Sequence, residues 1–154
     1  MAFALFGIGH CYGNGFMASS GKTKGSKSKM SMIDIVPGKS IGNLHLGDRI
    51  NDLPKGATIS GPGGELDGVQ FIAPEGVIED VWIDNLRKFP HDVRVGQVII
   101  HRNAPLDELK KLLGPCKSVP GIKGGSFFNC ESGITIGTDS SETGKFVQLR
   151  LKPR

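Results

Sequence analysis

Apolar and polar residues alternate through Lys145-Phe146-Val147-Gln148-Leu149-Arg150-Leu151, which predicts a strand half-buried through Val147, Leu149 and Leu151. Shorter runs of the same kind come in pairs around glycine-ended turns. Val69-Gln70-Phe71-Ile72-Ala73 turns at Pro74-Glu75-Gly76 into Val77 to Ile83, and Ser126-Phe127-Phe128-Asn129-Cys130 turns at Glu131-Ser132-Gly133 into Ile134-Thr135-Ile136. Each pair reads as a hairpin. Two stretches read as short helices. In the first, Asp48 caps a run that stops at Gly56; in the second, Asn103 is the cap, Pro105 and two acids fill the first turn, lysines lie toward the end, and Gly114 stops the helix.

These elements recur in the same order, strand, cap, short helix, glycine stop and hairpin, over residues 43–84 and again over 98–151. The expected fold is therefore α+β, with two tandem helix-plus-antiparallel-hairpin repeats forming a helix-backed, curved antiparallel sheet. Neither unit alone can bury both a helix stripe and a sheet face, so residues 32–154 are expected to form a single binding domain, with His91-Asp92 in a linker between the copies.

Composition agrees with short elements: of 154 residues, 23 are glycine and 9 proline. The formal charge of +4 raises nucleic-acid binding as a question. Position answers it, because Lys22, Lys24, Lys27 and Lys29 precede residue 30; nineteen basic residues less these four leaves fifteen, equal to the fifteen acids. No specific nucleic-acid site is expected. Residues 1–31, rich in Gly, Ser and Lys, read as a flexible tail or a vestigial targeting segment. Ala2 to Gly9 resembles a brief signal core without a basic start, and His10 precedes Cys11 where a lipoprotein needs a small residue. The cytoplasm is the expected compartment, and the periplasm the alternative if that segment exports the chain. No run is long and apolar enough to span a bilayer.

Candidate chemistry is sparse. Gly15 to Thr23 comes near a phosphate-binding loop, but five residues separate Gly15 from Gly21 where the motif has four. Histidines at 10, 45, 91 and 101 are scattered with no convergent nucleophile. An enzyme is not expected; His45, His101 and Asp92 would make one credible only by lining a common pocket. Three cysteines are too few for a structural zinc site, and neither cofactor nor metal is expected. Cys116 and Cys130 read either as a disulfide tying helix loop to sheet or as a reduced pair in the cytosol.

Alternation sets Ile78, Asp80, Trp82 and Asp84 on one strand face, and Phe146, Gln148 and Arg150 on the outer face of the last strand. An aromatic among charges is the usual anchor of a protein interface, so these seven residues are the candidate partner-binding set. The two-copy plan, the run Ile41-Gly42-Asn43-Leu44-His45-Leu46-Gly47-Asp48 and the placement of Cys116 and Cys130 together resemble the β-lactamase-inhibitor-like fold, itself related in shape to small outer-membrane assembly lipoproteins. The resemblance covers residues 40–152 and implies a concave face that grips a protein. The chain is also similar in plan to immunity proteins that neutralise bacterial antagonistic toxins by plugging their active sites. The expected function is non-catalytic protein binding of that kind, against a toxin or enzyme with a basic cleft that suits Asp80 and Asp84. The alternative is a structural or assembly module of the cell envelope.

Overall fold

The computed structural model describes residues 31–120 and 124–151, in which thirteen strands and one α-helix occur. The tail, the near-miss phosphate loop, His10 and Cys11 lie outside the described residues. In chain order the elements are β1 (Met32–Val36), β2 (Ser40–Ile41), β3 (Leu44–His45), β4 (Thr58–Ser60), β5 (Gly63–Leu66), β6 (Val69–Ile72), β7 (Asp80–Ile83), β8 (Asp92–Val95), β9 (Val98–Ile100), α1 (Leu106–Leu112), β10 (Cys116–Val119), β11 (Gly125–Cys130), β12 (Ile134–Asp139) and β13 (Val147–Leu151). They form a five-stranded sheet in the order β3-β2-β1-β8-β9 and an eight-stranded sheet in the order β10-β11-β12-β13-β7-β6-β5-β4. One core draws on both: Ile35, Ile41, Val93 and Ile100 from the first, Phe71, Val81, Ile83, Ile136 and Leu149 from the second, and Leu109 of α1.

Local chemistry accounts for the elements that form. Val147, Leu149 and Leu151 are buried on one side of β13 while Gln148 and Arg150 are only half-buried on the other, as their alternation predicts. Leu106, Leu109 and Leu113 recur at helical spacing and are buried, acids stand in the first turn of α1 and lysines in the last, and Gly114 ends it at φ +83°. The turn between β5 and β6 is Asp67-Gly68 with φ +53° and +80°, the left-handed pair a tight hairpin needs.

The α+β expectation of helix-plus-hairpin repeats is overturned: the described residues are mostly β, with two large sheets and one α-helix. The first expected helix is only a single 3₁₀ turn, Ile50–Asp52. Pro54 biases Leu53 into extended backbone at ψ 147°, so a second turn cannot form. The Asp48 carboxylate caps nothing and instead meets Nδ1 of His45 at 3.2 Å. Backbone groups that a helix would have used go to the neighbouring segment: Gly47 N–H to Ile78 C=O and Ile78 N–H to Asp48 C=O, each at 2.8 Å. Nor is Asn103 a cap, since α1 begins one residue after Pro105 and has no side-chain cap bond.

The bounds of the expected copies fail as well. The presumed linker contains β8, which pairs parallel with β1 through Met32↔Asp92 to Ile35↔Val95 and so holds the centre of the five-stranded sheet. Residues 58–66 carry an unexpected hairpin, β4–β5. What the strand order does show is a palindrome about the junction of β13 with β7, four antiparallel strands to either side of that junction. No helix among the described residues is long and apolar enough to cross a membrane.

Candidate functional site

The β13–β7 junction sets residues from both wings of the eight-stranded sheet side by side. Register pairs Gln70 with Trp82 and Trp82 with Arg150, and the row continues through Thr135, Asn129 and Lys117. All these side chains leave the face opposite Val81, Ile83 and Leu149, which are fully buried. The outer face is therefore polar around one tryptophan. At its centre lies an open depression of about 310 Å³, lined by Gln70, Ile72, Asp80, Trp82, Asp84, Gln148 and Arg150.

The depression is ordered by one ion pair. Arg150 donates from Nε to Asp80 Oδ1 at 2.9 Å and from a terminal nitrogen to the other carboxylate oxygen, a two-pronged contact that fixes the guanidinium plane. Its Cζ stands 5.9 Å from the centroid of Trp82, within reach of a cation–π attraction. Asp80 is 7% exposed, so its charge is spent inside the protein. Asp84 is the acid left on the open surface.

A second aromatic lies further along the same face. Phe127 packs its ring over Gly137, where an added Cβ would stand 2.9 Å from the ring edge and 3.3 Å from Gln148, so a larger residue at 137 would push the ring aside. Thr135 donates to Asn129 Oδ1 at 2.7 Å between the two aromatics.

Of the seven residues singled out from the sequence, five converge here: Asp80, Trp82, Asp84, Gln148 and Arg150. Ile78 does not. It is 1% exposed, because residues 77 and 78 turn from β6 to pair with residues 47–49, Glu79 N–H returning to Ile72 C=O, and the alternation slips by one before β7 begins. Val77 is exposed for the same reason. Phe146 precedes β13 and lies outside the depression; its carbonyl accepts from the Thr138 hydroxyl at 3.0 Å. Gln70, Ile72 and Phe127 were missed, although the β6–β7 hairpin already placed Gln70 and Ile72 on strand neighbours of Trp82 and Asp80.

Cys116 and Cys130 are directly paired across β10 and β11 with Cα atoms 3.9 Å apart, and they form a disulfide. The remaining histidines stay apart. His45 on β3 and His101 just beyond β9 flank opposite edges of the five-stranded sheet, the latter 3.5 Å from Asp92, while His91 Nδ1 meets the Ser31 hydroxyl at 2.5 Å. No group of three metal-ligating side chains that could hold an ion occurs among the described residues. Comparison with protein-family models, curated proteins and solved structures gives no match for the chain. The resemblance to the β-lactamase-inhibitor-like fold thus rests on its residues alone.

Proposed function

We propose that the chain is a non-catalytic protein-binding inhibitor of the immunity-protein type, which neutralises a toxin by covering its active site with the outer face of β7 and β13. The observation that carries this reading is the open depression around Trp82, where a large aromatic is held by a fixed guanidinium and rimmed by amides that can bond across an interface. With Asp80 neutralised by Arg150, the attraction to a basic cleft rests on Asp84. The affinity then comes mainly from Trp82.

Co-purification from a lysate of the source cell tests this, using wild type beside Trp82→Ala. The expected result is a stoichiometric partner whose own activity the wild type blocks, with at least about tenfold weaker capture by the variant. A lysate that yields no such partner, or a partner whose activity is unaffected, counts against the proposal.

One observation favours a second reading, a module of the cell envelope: the Cys116–Cys130 disulfide suits an oxidising compartment. Mass spectrometry of the natural chain for cleavage or acylation near Cys11 separates the two.

A further inference from the structure

A second cavity, which shares no lining residue with the Trp82 depression, lies at the seam of the two sheets. It holds about 410 Å³ and is lined by Ser31 and β1 as far as Asp34, by Ile41, Gly42 and Asn43, by Leu66, Asp67 and Val69, and by His91. Its origin is a mismatch of strand lengths. The ladder between β1 and β2 covers Ile35↔Ile41 and Val36↔Ser40 and closes with Gly42 N–H donating to Asp34 C=O at 2.8 Å, whereas β1 itself continues back to Met32. Backbone groups alternate sides along a strand, so Asp34 facing β2 means that Met32 faces the same way. On that side β2 has turned away, and among the described residues nothing pairs with the peptide groups of Met32, which face the notch. On the other side β1 stays paired with β8 throughout.

Such a place has the features of a strand-addition site, an edge that no described strand pairs, backed by an apolar floor of Ile41, Leu66 and Val69. Its charge is one-sided. Two aspartates and no lysine or arginine line it; Asp34 is engaged by Arg94 at 2.5 and 2.9 Å, and Asp67 stands exposed on the rim. Ser31 and His91 satisfy one another. We infer that this notch takes an extended peptide segment of a protein partner carrying a basic side chain, its backbone pairing with Met32 and its cation meeting Asp67. The site lies apart from the Trp82 depression and does not depend on it.

Titration of the isotope-labelled full chain with an acetylated, amidated peptide Val-Thr-Val-Lys-Val-Thr, followed by amide shifts, tests the assignment. Saturable shifts confined to residues 31–34, 42–43 and 66–69 are expected, with binding about fivefold weaker for Asp67→Asn, a residue the Asp-Gly turn accepts. Met32→Pro removes the donor facing the notch without touching the β8 ladder, and should abolish the shifts in a chain whose far-ultraviolet dichroism is unchanged. Trp82→Ala should leave them intact. The inference fails if the peptide with Glu in place of Lys binds equally, if n-butylammonium alone reproduces the shifts, or if neither Asp67→Asn nor Met32→Pro weakens binding.

Discussion

The two wings of the eight-stranded sheet, β4 to β7 and β10 to β13, have the same strand order about their common junction yet are held by different means. In the second wing β11 and β12 each run six residues, β12 is buried at five of its six residues, and a disulfide joins β10 to β11. In the first wing β4 has three residues, all exposed, and β5 has four. What secures that wing is close backbone approach: Gly63 and Gly64 leave room for Phe71, which is 1% exposed. One wing is cross-linked and long, the other short and tight. The candidate site takes Gln70, Ile72, Asp80, Trp82 and Asp84 from the first and Gln148 and Arg150 from the second, so its geometry depends on both.

The strongest way to break this comparison is to remove the cross-link. Replacing Cys116 and Cys130 together by alanine should cost about 3 kcal/mol, since the bond closes a loop with a sequence separation of 14. That corresponds to a fall in Tm of roughly 6–12 °C for a chain of this size. Amide hydrogen exchange should accelerate in β10 and β11 while β5 and β6 keep their protection. Equal acceleration in both wings would show that the disulfide secures the whole sheet, and the distinction between the wings would be lost.

A pair of glycine substitutions sharpens it further. A Cβ at Gly64 would run into the Thr58 carbonyl, which cannot move without parting β4 from β5, and stand 2.7 Å from the Phe71 ring, which is held in the core. Gly64→Ala should therefore cost about 2 kcal/mol in chemical denaturation. A Cβ at Gly137 meets the ring edge of half-exposed Phe127 at 2.9 Å, which can swing outward, and stands 3.3 Å from Gln148, a contact that a shift of a few tenths of an ångström relieves. Gly137→Ala should cost less than about 1 kcal/mol. Similar costs for the two would mean that the wings are equally tight.

How much of this was legible in the sequence follows from the range of the interactions. The β11–β12 hairpin, the alternation of β13 and the burial beneath it depend on neighbours in the chain, and their patterns could be read. Five of the site residues could be read for the same reason, each on or directly after a strand whose phase the pattern fixed. The parallel pairing of β1 with β8 joins Asp34 to Arg94 across 60 residues, and no local period announces it. The helix expected after Asp48 and the outward Ile78 failed together. Each segment found the other, and a backbone pairing between them displaced both a weak helix and a continuous strand phase.

The smallest expected effect lies in how each wing returns to the junction. The first wing's return, residues 73–79, is held by backbone bonds to residues 47–50, which do not titrate. The second wing's return is held by Asp139, whose carboxylate accepts from the Ser141 hydroxyl at 2.7 Å, from Thr143 N–H at 3.1 Å and from the Thr143 hydroxyl at 2.9 Å. The Ser141 bond foremost, and the Thr143 bonds with it, lower the Asp139 carboxyl from its ordinary 3.8 to about 2. A depressed folded value means stabilisation that is complete above pH 3.8 and lost as pH falls toward 2. The stability difference between wild type and Asp139→Asn, measured by denaturant titration, should accordingly narrow across that interval, and exchange at Thr143 should quicken there while the first wing's return is unchanged. A difference that stays constant with pH would remove Asp139 as the acid-sensitive tie and leave the two returns alike.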